Sequence, residues 1–567
     1  MVDYLYKTEP FSQQHEAFMR SRDEEAFALL MERGTGKSKI IIDTAAWLYM
    51  RGRINMLVVV APNGVHRNWI VNEVPVHLPD HIEYRSAYWV SSPTKAQQAA
   101  LDHVVAPDFD GLRIIAINVE TFSHKRGTVF LRKLGRYFKP LLCVDESSRI
   151  KEPSAKRTKT LTAAAVHFPY RRILTGTAIT QGPLDFFAQF KFLDPHILGY
   201  TTFASFRAHY AKMLEADHPL VQAILRKGAK WAPKIVDTYR NLDELKRTVA
   251  PYSYVARKAD CLDLPPKVYE KVYVDLGPAQ KKLYRSVENN TLTEMIADGR
   301  LDRNSSTEDM WDALLGEAVS DTNKRIKQGN ALTKLLRLQQ IIGGFVTVED
   351  DDENRTLEVL PDSKRVATLM DVLSDEHGKV IVWARFVPEL LAIIKAISDQ
   401  YGKESVVAYH GAVSADNRSL AQLLFQDEEE ISNVSPDDLE AYIVRPDYKS
   451  HREVVTSVKP GAVSEFIVTI YKESKVRFFV AQQHSGGLGL TLTKAELVMY
   501  YSNDFSLEAR LQSEDRAHRI GQTKTVTYID LVASGTVDER ILDALRKKEI
   551  MADDIIDGVK AAWDESL

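Results

Sequence analysis

Met31-Glu-Arg-Gly-Thr-Gly-Lys-Ser38 follows a short apolar run, Ala26 to Leu30, and opens a helical pattern carried by Ile40, Ile41, Ala45 and Leu48. A glycine-rich turn between a strand and a helix leaves backbone N–H groups pointing outward. The helix start adds unpaired donors and partial positive charge, so a polyphosphate is the natural guest. Residues Arg33, Gly34, Thr35, Gly36, Lys37 and Ser38 would then form the cradle. Lys37 would reach the outer phosphates, and the Ser38 hydroxyl would hold Mg²⁺. The strict phosphate-loop pattern has glycine where this chain has Met31; the Gly34, Gly36, Lys37, Ser38 core is intact. An ordinary glycine turn before a helix has the same local pattern, and the rest of the chain decides between the two.

The chain has 567 residues, enough for about two to four domains. It is 44% hydrophobic and 27% charged, an ordinary globular balance without low-complexity stretches. A net charge of -4 does not announce a nucleic-acid partner, so any such contact must come from a local groove. Cys143 and Cys261 cannot make a disulfide framework, which fits a reducing compartment. The N-terminus lacks a basic segment followed by an apolar run, so no leader is expected. No apolar run approaches the roughly eighteen residues of a membrane span. The 15 histidines are scattered, and no Cys or His spacing suggests a metal module.

In the first half, residues 55–61, 112–117, 140–144 and 172–174 read as buried strands. Continuous apolar strands alternating with helices predict a parallel sheet covered on both faces, with ligands at the strands' carboxyl ends. Past the 140–144 strand comes Asp145-Glu146-Ser147-Ser148-Arg149-Ile150-Lys151. Adjacent carboxylates at a strand end are costly unless a cation or water uses them. With a phosphate loop upstream, Asp145 is placed to hold Mg²⁺, and Glu146 to orient and deprotonate an attacking water. A solvated acidic pair is the plain alternative. Past the next strand lies Leu174-Thr-Gly-Thr-Ala178, a small hydroxyl-rich turn.

Alternation lapses over 197–345, where helical stretches such as 203–213 and 239–250 dominate. Pro265-Pro266 marks a boundary before an alternating strand from Tyr269 to Leu276. Lys324, Arg325, Lys327, Lys334 and Arg337 read as a phosphate-facing surface or as a solvated helix face. The acidic run Glu349 to Glu353 reads as an exposed linker. Alternation resumes with strands at 379–384, 406–411, 476–481, 497–501 and 525–532, which predict a second parallel sheet and a second lobe. Past the 476–481 strand, His484-Ser-Gly-Gly-Leu-Gly-Leu-Thr-Leu-Thr493 offers glycine-rich backbone to a phosphate of DNA or nucleotide. In Gln512-Ser-Glu-Asp-Arg-Ala-His-Arg-Ile-Gly-Gln522, Arg516 and Arg519 are spaced to share one helix face. They read either as surface ion pairs or as arginine fingers on a transferring phosphoryl group.

The order GTGKS, VVVAPNGVHRNW, DESSRIK, LTGT and QSEDRAHRIGQ resembles the helicase-like ATPases of superfamily 2. Arg149-Ile150-Lys151, Leu193-Asp194-Pro195, Arg257-Lys258 and Leu264-Pro-Pro-Lys267 are similar to the Swi/Snf-type branch. The resemblance covers roughly residues 10 to 545. It implies an α/β fold of two RecA-like parallel-sheet lobes in tandem with helical protrusions, and a DNA-dependent ATPase that translocates along double-stranded DNA.

On that resemblance Gln14 reads the adenine, and Gly487, Gly489 and Gln512 join the nucleotide site. Pro62, Asn63, Arg67 and Trp69 lie along one DNA strand, with Glu120 and Thr121 as a second contact. Arg385, His410, Gly411, His484, Ser485 and Gly486 are the DNA candidates of the second half. Thr175, Gly176 and Thr177 link hydrolysis to lobe movement. The chain departs from the family at Ser147-Ser148, where Ala-His is usual, and at Ala178-Ile-Thr-Gln181, where Pro-Leu-Gln-Asn is usual.

The expected organisation is lobe 1 over 1–196, a helical protrusion over 197–256 and a joining segment over 257–278. A second protrusion follows over 279–360, then lobe 2 over 361–540, with an insertion at 427–465 read as a partner site or a solvated loop. Residues 541–567 form an amphipathic helix that braces the lobes. The expected cofactors are ATP and Mg²⁺ and the expected partner is duplex DNA, gripped by a monomer. A compact prokaryotic or phage form, in the cytoplasm of a bacterial or phage-infected cell, is the expected setting. A strand-separating or fork-remodelling helicase, and a remodeller of a polymerase complex, are the alternatives.

Overall fold

A computed structural model describes residues 4–218, 221, 235–297, 301, 304–320, 331–349, 355–445, 447–455, 464–484 and 490–564. Strands β1 (Ala26–Met31), β2 (Met56–Ala61), β3 (Tyr84–Trp89), β4 (Leu112–Asn118), β5 (Pro140–Asp145) and β6 (Tyr170–Thr175) belong to one sheet. A small antiparallel hairpin, β7 (Ala211–Met213) with β8 (Val236–Tyr239), intervenes before β9 (Ser253–Ala256) returns to that sheet. Its seven strands run β3-β4-β2-β5-β6-β1-β9 and every pairing is parallel. Strand β2 is buried along its whole length, as a strand covered on both faces must be. Each fully buried Val or Leu in such a strand contributes about 1.5–3 kcal/mol.

The second sheet is built from β10 (Lys267–Val274), β13 (Lys379–Ala384), β14 (Val406–Tyr409), β18 (Phe478–Gln482), β19 (Ala495–Tyr500) and β20 (Val526–Ala533). Its order is β10-β20-β19-β13-β18-β14, again all parallel. Two parallel sheets with helices on their faces are the expected tandem α/β lobes.

Three segments differ from the sequence reading. Strand β3 is an edge strand with only Ala87 and Trp89 buried, so it lacks the continuous apolar signal of its neighbours. The segment 197–256 holds helices at Phe203–Tyr210 and Leu242–Val249, but also the β7–β8 hairpin and β9, which closes the edge of lobe 1. Between 427 and 471 the chain folds into β15 (Glu428–Val434), β16 (Tyr448–Val455) and β17 (Ser464–Tyr471), with a helix at Pro436–Ile443. This insertion is an antiparallel sheet in the order β15-β17-β16, around Val434, Val468 and Ile470. Strand β16 also lies alongside residues 69–73 of lobe 1. Lys324, Arg325, Lys327 and most of the acidic 349–353 run lie outside the described residues.

Helix α1 (Ser12–Ser21) and helix α2 (Lys37–Met50) flank β1. Helix α3 (Leu507–Glu514) sits on lobe 2 at the cleft. Helix α4 (Val537–Asp564) crosses between the lobes. Its Ile541 and Leu545 pack with the helical part of lobe 2, and its Ile555 and Val559 join the lobe 1 core. Lys246 of lobe 1 pairs with Asp554 at 3.0 Å, and Arg257 with Asp553 at 2.7 Å and Asp557 at 2.8 Å.

Candidate active site

Strands β5, β6 and β1 are neighbours in the first sheet, so the loops after their carboxyl ends meet at one place. The loop after β1 carries Gly34 and Gly36 in the left-handed region, at φ 81° and 85°. A Cβ on Gly36 would stand 1.7 Å from Nε2 of Gln14, so only glycine fits beneath that amide. Gln14 Nε2 donates to the Thr35 carbonyl at 3.5 Å, and its Oε1 accepts from Phe11 N at 2.9 Å. Thr35 Oγ1 pins the loop by donating to Glu32 O at 2.7 Å. Lys37 opens α2 and folds back over the loop, its Nζ donating to Met31 O at 2.8 Å and Glu32 O at 3.0 Å. Met31 is fully buried in the sheet and offers only its carbonyl to the site.

Asp145 ends β5. Its Oδ1 accepts from Glu146 N and its Oδ2 from Trp69 Nε1, both at 2.9 Å. Burial first, then the neighbouring Glu146 charge, push the Asp145 carboxyl up to about 6. Glu146 sits at φ 51°, a left-handed conformation that non-glycine residues rarely adopt and that recurs at functional sites. Arg33 donates to it twice, Nε to Oε1 and Nη2 to Oε2, each at 2.9 Å. Burial opposes the Glu146 charge, but Arg33, and behind it Lys37, outweigh burial and hold the carboxyl below its ordinary value. Lys37 itself is pushed down by burial.

Lobe 2 completes the site. Arg516 and Arg519 do not lie on a helix: α3 ends at Glu514, and both follow in the turns beyond its cap at Asp515. They still converge, because both guanidinia donate to Leu490 O, at 3.1 and 3.2 Å, and Arg519 also to Thr491 Oγ1 at 3.0 Å. Arg519 Cβ lies 3.8 Å from the place of a Cβ on Gly34, so the second lobe meets the glycine loop directly. Burial, then the charges of Arg33 and Arg519, push Arg516 down from its ordinary value. Cations crowded together in a buried place suit an anion between them. Nη1 of Arg33, buried, has no hydrogen-bond partner among the described residues.

Several residues to which the sequence reading gave no role in the site tie the two halves together. Asp515 accepts from Lys258 Nζ and stands 4.0 Å from Arg33 Nη1. Lys258 also donates to His518 O at 2.8 Å, while its backbone N–H reaches Glu32 Oε2 at 2.8 Å. Ser148 donates across the cleft to Glu508 Oε1 at 3.1 Å, and Gln512 Nε2 donates to the same oxygen at 3.0 Å. Arg149 and Lys151 face Glu508 at 3.8 Å. Ser148, a departure from the family pattern, thus makes an inter-lobe contact. Asp515, Lys258 and Ser148 all sit in motifs legible in the sequence; only their pairing was hidden.

The remaining expected residues divide. Asn63, Arg67 and Glu120 are exposed and Thr121 is half-buried. Trp69 is corrected: it is 1% exposed and its indole N–H is used by Asp145, so it cannot lie along DNA. Pro62 is buried as well and its carbonyl accepts from His66 N. Arg385 is half-buried and held by Asp504 at 3.3 Å and by Gln339. His484 is exposed with Nε2 3.2 Å from Asp504, His410 is half-buried, and Gly411 is exposed. Thr177 N donates to Thr175 Oγ1 at 3.0 Å, and a Cβ on Gly176 would press on Arg33 at 3.1 Å, so this turn packs against the glycine loop. Ser485, Gly486, Gly487 and Gly489 lie outside the described residues.

Ser38 and Asp145 offer a hydroxyl and a carboxylate beside the phosphate cradle. Mg²⁺ is bound in this way, by one or two carboxylate or hydroxyl oxygens together with substrate phosphates and water. Among the described residues no group of three or more His, Cys, Asp or Glu gathers around a metal position. A hydroxyl and a carboxylate beside a phosphate cradle are a donor set that fits Mg²⁺ held jointly with a nucleotide.

Residues 3–341 match the family described as the SNF2-related domain. The chain is 26% identical over 429 residues to TATA-binding protein-associated factor 172 of Homo sapiens, covering 73% of this chain and 20% of that protein. It is 23% identical over 525 residues to the ISWI chromatin-remodeling complex ATPase CHR11 of Arabidopsis thaliana, covering 91% of this chain and 40% of that one. Among solved structures, the Sulfolobus solfataricus SWI2/SNF2 ATPase core in complex with dsDNA aligns over 100% of this chain and 97% of its own, at 20% identity and a TM-score of 0.36. The chain spans about a fifth of the length of the TATA-binding protein-associated relatives.

Proposed function

The chain belongs to the SNF2-related family, and from that premise we propose that it is a DNA-stimulated ATPase that moves along double-stranded DNA and displaces or remodels what is bound there. One observation carries the reading: Arg519, which shares the Leu490 carbonyl with Arg516 on lobe 2, stands with its Cβ 3.8 Å from the place of a Cβ on Gly34 in the lobe 1 glycine loop, whose Arg33 holds Glu146. ATP lies between the lobes, its phosphates on residues 33–38 and its adenine toward Gln14. Glu146 orients the attacking water and takes its proton. Arg516 and Arg519 neutralise charge on the transferring phosphoryl group. Ser38 and Asp145 would hold Mg²⁺, which would supply charge neutralisation on the phosphates.

Because the fingers and the loop belong to different lobes, the site is complete only when the cleft is closed. Closure shortens the distance between the two DNA-gripping surfaces, and hydrolysis reopens it. The grip is mainly on phosphates, so it is independent of sequence and weakens with salt. Asn63, Arg67 and Glu120, which are exposed, remain the lobe 1 candidates for it. The insertion at 427–471, a folded sheet lying alongside residues 69–73, is the proposed partner-binding element.

The test is the ATPase rate with duplex DNA, single-stranded DNA and RNA compared. Duplex DNA is expected to stimulate most, and equal stimulation by RNA would overturn the reading. Displacement of a triplex strand without separation of the duplex distinguishes translocation from unwinding.

A further inference from the structure

The two side chains assigned to the cation are both supported from one turn. After β2 the chain runs through a short helical turn (Val65–Asn68), a π-helical turn (Trp69–Glu73) and a second helical turn (Val74–His77). π-Helical turns are rare and recur at functional sites, because the extra residue redirects side chains. Here the first and last residues of the π turn point at the two donors. Trp69 Nε1 donates to Asp145 Oδ2 at 2.9 Å in a buried bond. The same turn packs against α2, whose second residue is Ser38, and Glu73 is fixed there by Asn68 Nδ2 at 3.1 Å, with the Ser38 hydroxyl favouring its charged form. The charge of Arg519, from the other lobe, also acts on Glu73.

We propose that Trp69 and Glu73 are positioning residues for the divalent cation of the nucleotide site. The proposal rests on the reading of Ser38 and Asp145 as the cation's ligands. A serine hydroxyl that binds a cation must turn its proton away, and a carboxylate behind it accepts that proton and leaves a lone pair facing the metal. A carboxylate that binds through one lone pair must keep its plane. Trp69 on Oδ2 and the Glu146 N–H on Oδ1 hold the plane of Asp145 from both sides. Partners of this kind set ligand orientation, and their loss lowers metal affinity by roughly 10–100-fold. Neither residue would touch the cation or the nucleotide.

The experiment measures equilibrium binding of a fluorescent non-hydrolysable ATP analogue to the full chain, across a Mg²⁺ series and in EDTA. In Trp69→Phe and Glu73→Gln the Mg²⁺ concentration for half-maximal enhancement of binding should rise by roughly 10-fold or more, while affinity in EDTA stays within about twofold of wild type. A merely structural role would move both quantities together, or neither. Glu73→Gln is nearly isosteric at a half-buried position and carries the test should the Trp69 variant lose its fold. Two folded variants with the wild-type Mg²⁺ dependence would overturn the proposal and leave the nucleotide site standing. A wild-type chain whose nucleotide binding is indifferent to Mg²⁺, or absent, would instead remove the reading of Ser38 and Asp145, and the proposal with it.

Discussion

Arg33 grips Glu146 through two parallel hydrogen bonds of 2.9 Å, and the same guanidinium stands 4.0 Å from Asp515 of the opposite lobe. A carboxylate held bidentately by a guanidinium keeps lone pairs for a water but is a weaker base, because the cation stabilises its charged form. In this arrangement the proposed base is stored rather than poised. Removing one partner of such a buried pair costs about 3–5 kcal/mol, because the other is left charged and unpaired. Asp515 is the nearest alternative anion for Arg33, and it belongs to the lobe that must move. On the proposed function, release of Glu146 would follow the position of lobe 2 through this 4.0 Å contact.

Glu146→Gln keeps the shape of this contact but removes the base. It should bind ATP as wild type does and lose hydrolysis by about 10²–10⁴-fold in single-turnover assays with saturating duplex DNA. Turnover at the wild-type rate would take Glu146 out of the role.

Lys37→Ala and Arg519→Ala separate binding from chemistry. Lys37 lies against the loop carbonyls of Met31 and Glu32, from where it would reach the phosphates; its loss should abolish nucleotide binding in filter or fluorescence assays. Arg519 comes from lobe 2, so its loss should spare binding and reduce hydrolysis by about 10³-fold or more, as for other arginine fingers. Normal hydrolysis in Arg519→Ala would mean that the site does not span the cleft.

The Ser148–Glu508 bond predicts a coupled pair. A hydroxyl–carboxylate bond at 3.1 Å contributes about 1.5–3 kcal/mol at best. Ser148→Ala and Glu508→Ala should each alter the ratio of DNA-stimulated to basal ATPase rate, and the double variant should change it no more than Glu508→Ala alone. Fully additive effects would show that the two side chains act independently.

These pairings mark where the sequence was legible and where it was not. Strands β2, β5 and β13 announced themselves as continuous apolar runs, and the Gly34–Ser38 loop as an interruption between strand and helix. The two-lobe fold follows from such local patterns. Strand β3 did not, because Arg85 and Ser86 on an edge strand break the apolar run. The insertion was invisible as a sheet because β15 opens with Glu428-Glu429-Glu430, which reads as a solvated run. Trp69 was assigned to DNA on resemblance, whereas its indole fills the core and serves Asp145. The pairs Lys258 with Asp515 and Ser148 with Glu508 join residues hundreds of positions apart, and nothing in a local window encodes that contact. Sequence located the ingredients of the site, and packing decided which of them face each other.

His77 makes stability depend on pH near this same turn. It accepts or donates with Thr8 Oγ1 at 2.8 Å, and burial, followed by the charges of Lys39 and Lys7, pushes its imidazole down to about 4. Glu73, 4.0 Å away, does not reverse this. The folded state therefore keeps His77 neutral where the unfolded chain, with an ordinary value near 6.5, takes up a proton. Between about pH 6.5 and 4 the unfolded state binds more protons, so stability falls as pH falls through that window and is fully present above it. The loss attributable to His77 is at most about 3 kcal/mol. Thermal unfolding of wild type and His77→Gln at pH 7.5, 6, 5 and 4.5 reads it directly. The wild-type midpoint should drop more steeply than that of the variant on acidification, and parallel curves would show that His77 is not held neutral by the fold.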